Sequence, residues 1–425
     1  MASRRGGCPM TRVALTALGC KVNFAEMAEL AGQLGAAGLD VVGEDEPADV
    51  RVLNSCTVTL QADATTRQRL ARLRRDDPQV HLVLTGCSVD ANPGRYTGGV
   101  DAVFANPDKP SIAAYIVQNF GSATSTSTRG AAPRRSRAFL KVQDGCDHRC
   151  TYCIVWRARG GHSRSLAPDD VLRRADDALQ QGHRELVLTG VDLGSYGKEH
   201  GTTLAALLRR LLDRIGDARV RLSSVNANDV TAELAELNAH PRLCPHWHMP
   251  LQSASDDTLK RMHRGHRVAQ YRRVVRALRD ADPRTELTTD LMVAFPGETE
   301  DDHRRTVDYV AEAQFLHCHV FRWSPRPDTP AATLDGRVAD AVARRRSAEV
   351  RRAAAHAAQA RREHAVGARA EVVWERVEAG EARGLTDTWH TVTATPGTAS
   401  RPGGLQRVRL DAVTSDGLRA TLLDS

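Results

Sequence analysis

The sequence has no long hydrophobic run and few aromatic residues, which make up 4% of its 425 residues. No apolar stretch approaches the about 20 residues that a membrane helix needs, and residues 1–10 lack the apolar segment of a secretory signal. We therefore expect a cytoplasmic protein without a membrane partner. With 41% apolar residues and a net charge of +7, the chain can bury ordinary cores and suits a polyanionic partner.

The nine cysteines are the most informative residues. An odd number of cysteines in a chain without a signal segment argues against a disulfide framework and favours metal binding. They form three groups: the loop cysteines Cys146, Cys150 and Cys153, the strand-end cysteines Cys20, Cys56 and Cys87, and the remaining Cys8, Cys244 and Cys318.

The loop cysteines follow the predicted strand Ala138–Gln143 and read Cys-Asp-His-Arg-Cys-Thr-Tyr-Cys. A four-iron cluster normally takes four thiolates, so three leave one iron free to bind the amino and carboxylate groups of a small molecule. A structural zinc ion would need four closed ligands. We expect the tight loop to turn His148 outward, which favours a cluster over zinc.

The strand-end cysteines each follow a predicted strand, namely Val13–Leu18, Val50–Asn54 and Val80–Thr85, with helices predicted over Asn23–Leu34 and up to Arg75. The carboxyl ends of parallel strands lie on one edge of a sheet, so these thiols should converge. A single such cysteine would more often be a small buried residue. Three in equivalent positions predict a second cluster with a free site.

Two resemblances follow from these motifs. The loop cysteines with Tyr152 resemble the radical S-adenosylmethionine signature. Gly19-Cys20-Lys21-Val22-Asn23, Asn54-Ser55-Cys56-Thr57-Val58-Thr59 and Thr85-Gly86-Cys87 resemble the amino-terminal domain of radical methylthiotransferases, most closely the branch that acts on N6-threonylcarbamoyladenosine 37 of tRNA.

The resemblance implies two [4Fe-4S] clusters and S-adenosyl-L-methionine. In this family the cluster on the loop cysteines cleaves the cofactor to a 5′-deoxyadenosyl radical, and the strand-end cysteines hold an auxiliary cluster from which sulfur reaches the substrate. Because a primary radical must not diffuse, we expect both clusters to face one cavity.

The pattern predicts an α/β protein. We expect a methylthiotransferase domain over 11–120, a linker over 121–137 that ends in Arg134, Arg135 and Arg137, a radical S-adenosylmethionine partial (βα)6 barrel over 138–336, a connecting helix over 337–364 and a small antiparallel β-barrel over 365–425. The last resembles the TRAM domain, an RNA-binding module whose basic, partly aromatic face would here draw on Trp374 and Trp389.

Further residues have predicted roles from their positions after barrel strands. Tyr152, Gly190, Ser224 and Gln252 are expected to contact the cofactor. His246 with His248, and His317 with Cys318 and His319, are interpreted as strand residues rather than metal ligands. Trp156 lies where the family usually has a proline; stacking on a base and packing of the loop both remain open.

The predicted reaction replaces a C–H bond with C–S–CH3 at C2 of N6-threonylcarbamoyladenosine 37. The expected partners are the anticodon loop of tRNA and an electron donor such as flavodoxin or ferredoxin. Alternative substrates are isopentenyladenosine in tRNA, a ribosomal protein aspartate, and a peptide or small metabolite. A non-catalytic RNA-binding protein with structural metal is the alternative of another class.

Overall fold

The computed structural model describes residues 10–96, 98–121, 136–378 and 380–423. The described residues form two compact units: residues up to 121 with Ile154–His162, and residues 136–153 with 163–423. Most of the predicted linker, including Arg134 and Arg135, lies outside the described residues. None of the described helices combines the length and the apolar character needed to cross a membrane.

The first unit is a five-stranded parallel sheet in the order β2-β1-β3-β4-β5 with helices beside it. Its strands are β1 (Arg12–Ala17), β2 (Asp40–Val42), β3 (Val50–Ser55), β4 (His81–Gly86) and β5 (Ala102–Phe104), and its helices are α1 (Lys21–Ala36), α2 (Leu60–Asp76), α3 (Cys87–Ala91), α4 (Ile112–Phe120) and α5 (Val155–Ala158). The three predicted strands are confirmed, and β2 and β5 extend the sheet on both sides.

Apolar residues of the central strands hold this sheet against its helices. Val13, Val50 and Val83 are fully buried and pack in one cluster with Leu34 of α1 and Ile116 of α4. Continuous burial along β3 and β4 is typical of parallel strands covered on both faces. The packing therefore fixes where each central strand ends, and the strand-end cysteines follow at those positions.

The second unit contains the predicted partial barrel. Its parallel strands are β6 (Ala138–Lys141), β9 (Glu185–Thr189), β10 (Arg219–Leu222), β11 (His246–His248), β12 (Glu286–Val293) and β13 (His317–Arg322), while β7 (Gln143–Asp144) and β8 (Arg164–Ser165) form a small antiparallel pair. The helices are α6 (Pro168–Gln180), α7 (Leu204–Leu212), α8 (Ala232–Glu236), α9 (Asp256–Arg261), α10 (Val268–Ala281) and α11 (Glu300–Ala313). The six predicted strands are confirmed.

The six strands form two three-stranded sheets, β10-β9-β6 and β11-β12-β13. Single bridges between Val220 and Leu243 and between Ser224 and His248 connect them. The carboxyl ends of all six strands therefore lie at one end of the barrel, where parallel barrels bear their chemistry. The loop that carries the loop cysteines follows the first strand at this end.

Helix α12 (Asp340–Ala365) leads into a closed barrel of β14 (Arg369–Glu378), β15 (Glu381–Thr386), β16 (Thr391–Ala394), β17 (Leu405–Val413) and β18 (Leu418–Leu422). The predicted small barrel is confirmed, with two differences. The closing pair of β16 and β18 is parallel, whereas the other pairs are antiparallel. Strand β15, which the sequence analysis missed, alternates exposed charged residues with small buried ones.

The two predicted surface tryptophans of this barrel are occupied by packing. Trp374 is fully buried in the barrel core. Trp389 stacks on His246 with ring centroids 4.6 Å apart, and the Arg221 guanidinium lies 5.0 Å from its ring. The expectation that Trp374 contributes to an aromatic RNA-binding face is therefore wrong, whereas the half-buried Trp389 keeps this role as a prediction.

The small barrel packs against the amino ends of the partial-barrel strands. Arg219, the first residue of β10, donates to the carbonyl of Leu385 at 3.1 Å, and Arg221 donates to the carbonyl of Thr386 at 2.8 Å. Both arginines also bind Glu185, the first residue of β9. This buried group connects the small barrel to the end of the partial barrel opposite the loop cysteines.

Candidate functional site

The strand-end cysteines come together in the first unit. Cys20 precedes α1, Cys56 follows β3, and Cys87 begins α3 directly after β4. Burial raises the pKa of the Cys56 thiol to about 11, and the negative charges of Cys20 and Cys87 add to this increase. The predicted convergence of the three thiols is thus a feature of the fold, and their role as iron ligands stays a prediction.

Glycines make this convergence possible. Gly19 has φ +85°, and a Cβ placed there would lie 2.4 Å from the Cys56 sulfur. Gly86 has φ +103°, and a Cβ there would lie 2.4 Å from the carbonyl oxygen of Ser55. Both positions combine a left-handed backbone with close approach to a neighbour, so only glycine fits them without strain.

Polar side chains fix the loops between these cysteines. The Asn23 amide donates to the carbonyl of Ser55 at 2.9 Å, which ties α1 to the end of β3. The Asp63 carboxylate accepts hydrogen bonds from Thr57 at 2.8 Å and from Ser88 at 2.6 Å. Each of the second and third cysteines therefore has an immediate neighbour, Thr57 or Ser88, held by the same buried carboxylate.

Arg159 reaches the strand-end cysteines from a distant part of the sequence. Its side chain is 1% exposed, and its Nε donates to the Cys87 sulfur at 3.1 Å. Its other nitrogens donate to Asn23 at 2.7 Å and to Glu26 at 2.5 Å. The sequence analysis assigned no role to Arg159.

The loop cysteines lie in the second unit on a tightly bonded loop. The Cys153 amide donates to the Cys150 carbonyl at 3.0 Å, and the Thr151 amide donates to the Met262 carbonyl at 3.1 Å. Burial and the neighbouring Asp192 carboxylate raise the pKa of the Cys146 thiol. The raised pKa favours the neutral thiol, so the thiolate form needs the positive charge that a bound metal group would supply.

Arg264 is the cation of this second site. Its guanidinium lies 3.5 Å from the Cys150 sulfur and donates to Asn226 at 2.8 Å and to the Pro250 carbonyl at 3.1 Å. The Tyr152 hydroxyl also forms a hydrogen bond with Cys150, and burial raises the pKa of this phenol. The sequence analysis missed Arg264, since no pattern in the His-Arg-Gly-His run around it predicts a contact with Cys150.

His148 does not turn outward, so that expectation is wrong. Its Nε2 lies 3.3 Å from the Asp192 carboxylate and 3.7 Å from that of Asp229. The proximity of these two carboxylates raises the pKa of His148 to about 10. The loop turns inward here because a protonated imidazole between two acids stabilises it, and a protonated ring cannot be a metal ligand.

The four predicted cofactor contacts lie around this loop or at strand ends. Gly190 is buried directly after β9, where a Cβ would lie 2.6 Å from the Gln143 amide oxygen. Ser224 bridges to His248 of β11. Gln252 has φ +68° and exchanges backbone hydrogen bonds with β12. Together with Tyr152, they keep their predicted roles as expectations.

The donor sets fit clusters better than single ions. Among the described residues, the one group of three His, Cys, Asp or Glu donors within 4.8 Å of one another is His148 with Asp192 and Asp229. Zinc–sulfur bonds of about 2.3 Å would bring bound sulfurs within about 4 Å of each other. Neither cysteine triplet is so compact, whereas a four-iron cubane binds thiolates at separate corners.

Comparisons with known proteins agree with this arrangement. Residues 140–310 match the family model "Radical SAM superfamily", and residues 12–103 match "Uncharacterized protein family UPF0004". The chain is similar in fold to the radical S-adenosylmethionine methyltransferase TsrM from Kitasatospora setae, solved with cobalamin and a [4Fe-4S] cluster, with TM-score 0.56, 16% identity and coverage of 76% of this chain and 77% of that one.

Two curated relatives are more similar in sequence. The threonylcarbamoyladenosine tRNA methylthiotransferase MtaB of Thermotoga maritima is 38% identical over 79% of this chain and 80% of its own length. The tRNA-2-methylthio-N(6)-dimethylallyladenosine synthase of Parafrankia sp. is 35% identical over 86% of this chain and 77% of its own length. The chain belongs to the radical S-adenosylmethionine tRNA methylthiotransferase family, whose cofactors are S-adenosyl-L-methionine and [4Fe-4S] clusters.

Proposed function

We propose that this chain inserts a methylthio group at C2 of N6-threonylcarbamoyladenosine 37 in the anticodon loop of tRNA. The name of the Thermotoga maritima relative and the Gly-Cys-Lys-Val-Asn sequence at Cys20 support this substrate. The observation that carries the reaction is the presence of two separate thiol triplets, each one ligand short of a four-iron cluster.

The loop cysteines would hold the cluster that binds S-adenosylmethionine. When bound, this cluster and the cofactor supply one-electron chemistry for the activation of a C–H bond. In the protein, Arg264 holds Cys150 through its sulfur, and Asn226 connects this arginine to Asp192 through hydrogen bonds of 2.8 and 3.0 Å. These contacts would keep the loop in one conformation while the cofactor is exchanged.

The strand-end cysteines would hold the auxiliary cluster that delivers sulfur. The three thiols lie where the central strands of the first unit end. Open α/β sheets bind ligands at this edge. Arg159, which bonds to Cys87, stands six positions after Cys153 in the sequence. The electron donor would be flavodoxin or ferredoxin.

Nucleoside analysis tests the substrate. In tRNA from a strain that lacks this gene, mass spectrometry should find N6-threonylcarbamoyladenosine without its 2-methylthio derivative, and the wild-type gene should restore the derivative. Loss of the 2-methylthio form of isopentenyladenosine instead would assign the chain to that substrate. A deletion strain with all its methylthio nucleosides intact would contradict a tRNA substrate.

Cys20→Ala tests the two cluster roles. Because this change affects only the auxiliary site, the purified variant should still cleave S-adenosylmethionine to 5′-deoxyadenosine but attach no sulfur to tRNA. Cys318→Ala is the matched control, since Cys318 is a buried cysteine of β13 outside both triplets. Normal methylthiolation by Cys20→Ala would refute the sulfur-donor assignment.

A further inference from the structure

Arg159 is a charged residue that forms a direct hydrogen bond with one of the strand-end cysteines. It comes from the segment Ile154–His162, which follows the loop cysteines in sequence but is part of the first unit. Its Nε lies 3.1 Å from the Cys87 sulfur, and the two residues are 72 positions apart. The Arg159 side chain is 1% exposed, so its guanidinium has almost no contact with water.

The guanidinium of Arg159 lies in a group of charged side chains that also includes Lys109, Glu26 and Asp90. Two buried cations, Arg159 and Lys109, share the single carboxylate of Glu26, with Lys109 Nζ 2.5 Å from one oxygen and Arg159 Nη1 2.5 Å from the other. The Asp90 carboxylate also interacts electrostatically with both cations, so the Nε bond of Arg159 to the Cys87 sulfur is made in addition to these ionic contacts.

Different nitrogens of Arg159 make two kinds of contact, one with α1 and one with Cys87. Its Nη atoms reach Glu26 and Asn23, both on α1, and these bonds anchor the segment to the first unit. The Nε atom makes a different contact, because it donates to the Cys87 sulfur rather than to α1. This third bond places a fixed positive charge next to the sulfur of Cys87.

We infer that Arg159 is a positioning residue that holds the Cys87 sulfur in place through the Nε bond and raises the reduction potential of the auxiliary cluster. Hydrogen bonds to cluster sulfurs and nearby charge set the potentials of iron–sulfur clusters. A positive charge stabilises the extra electron of the reduced cluster, and Glu26 on the far side of the guanidinium moderates this effect. The inference rests on the proposed assignment of the strand-end cysteines as cluster ligands.

The test uses the full-length chain with Cys146, Cys150 and Cys153 changed to alanine, so that only the auxiliary cluster can form. Iron and sulfide are measured after anaerobic reconstitution, and the midpoint potential is determined by titration with dithionite followed by electron paramagnetic resonance. In this background Arg159→Gln should shift the midpoint to more negative potential, and Glu26→Gln should shift it to more positive potential. Arg159→Lys, which keeps the charge, should lie between Arg159→Gln and the parent.

Arg157→Gln is the matched control, since it removes the same charge from the exposed residue two positions earlier and should leave the potential unchanged. A role in anchoring alone would give no opposite shifts for the Arg159 and Glu26 variants, and equal potentials in all of them would overturn the inference. If Arg159→Gln does not retain iron, the directions in which Arg159→Lys and Glu26→Gln shift the midpoint potential test the inference instead. A parent without iron would overturn the cluster assignment and this inference together, whereas iron with unshifted potentials would overturn the inference alone.

Discussion

The Arg264 guanidinium lies 3.5 Å from the Cys150 sulfur, although 114 residues separate the two in sequence. The same guanidinium donates to Asn226 and to the backbone of Pro250, so the loop cysteines are attached to two further segments of the partial barrel. Arg264 is therefore a residue through which the barrel contacts Cys150 directly, in addition to the backbone bond of Thr151 to Met262.

Arg264→Gln should lower the rate of 5′-deoxyadenosine formation by about 10- to 100-fold, the usual cost of removing a residue that orients a metal ligand. The measurement is a single-turnover assay with dithionite as reductant, corrected for iron content. Arg267→Gln, an exposed arginine three positions later, is the control and should retain the parental rate. Equal rates for the two variants would mean that Arg264 does not support Cys150.

Gly19→Ala should remove the auxiliary cluster and leave the other cluster in place. The new methyl group would lie 2.4 Å from the Cys56 sulfur and would also force alanine into a left-handed backbone conformation. Iron analysis should fall from about eight to about four atoms per chain, with 5′-deoxyadenosine formation retained. Gly32→Ala in α1 is the control, because a Cβ there meets nothing within 4 Å; iron lost equally from both variants would contradict the prediction.

The elements that the sequence predicts best are those with long, regular apolar patterns. Strand β12 has eight residues and helix α10 has fourteen, which is long enough for a period to show in the sequence. Strands β2 and β5 have three residues each, too few to establish a period, and the sequence analysis missed both. Their positions depend on pairing with β1 and β4, which is information from the folded chain.

The same dependence on the folded chain limits which residues around the cysteines can be predicted from the sequence. The cysteines are recognisable because few side chains bind iron and their spacing is specific. Arg159 and Arg264 are two among 59 Lys and Arg residues, and each acquires its role from one sulfur more than 70 positions away. His148 was misplaced for the same reason, since its partners Asp192 and Asp229 are contributed by later loops of the barrel.

Glu185→Gln should lower the free energy of unfolding of the second unit by about 3–5 kcal/mol, the usual cost of breaking a buried ion pair. Glu185 is fully buried between Arg219 and Arg221, and these cations hold the pKa of its carboxyl well below the usual range despite burial. The neutral amide would leave two buried guanidinium groups without their anion. Urea denaturation followed by tryptophan fluorescence measures the change.

The control for this prediction is Glu233→Gln, which removes the carboxylate partner of Arg209 in an exposed ion pair. Exposed pairs contribute about 0–1 kcal/mol, so this variant should unfold close to the parental urea concentration. Similar destabilisation by both substitutions would show that burial does not determine how much the ion pairs of Glu185 contribute to the free energy of unfolding.

The protein should lose stability as the pH falls from about 6.5 to about 4. Burial, and then neighbouring arginines, lower the pKa of His266 and of His390 to about 4, whereas an unfolded histidine titrates near 6.5. Between these values the unfolded chain binds protons that the folded chain does not, so acid favours unfolding, by roughly 3 kcal/mol per histidine when complete. Above pH about 6.5 both forms are neutral and this contribution is constant.

His390→Gln should flatten this pH dependence, because glutamine does not titrate and the substitution removes one of the proton-binding differences between the folded and unfolded chain. Urea midpoints measured at pH 7.5, 6 and 5 should therefore decrease less steeply for His390→Gln than for the parent. His364→Gln changes an exposed histidine near the end of α12 and should keep the parental slope. A His390→Gln slope equal to that of the parent would assign the acid sensitivity to other groups, since proton linkage requires the slope to follow the number of histidines that fold without their proton.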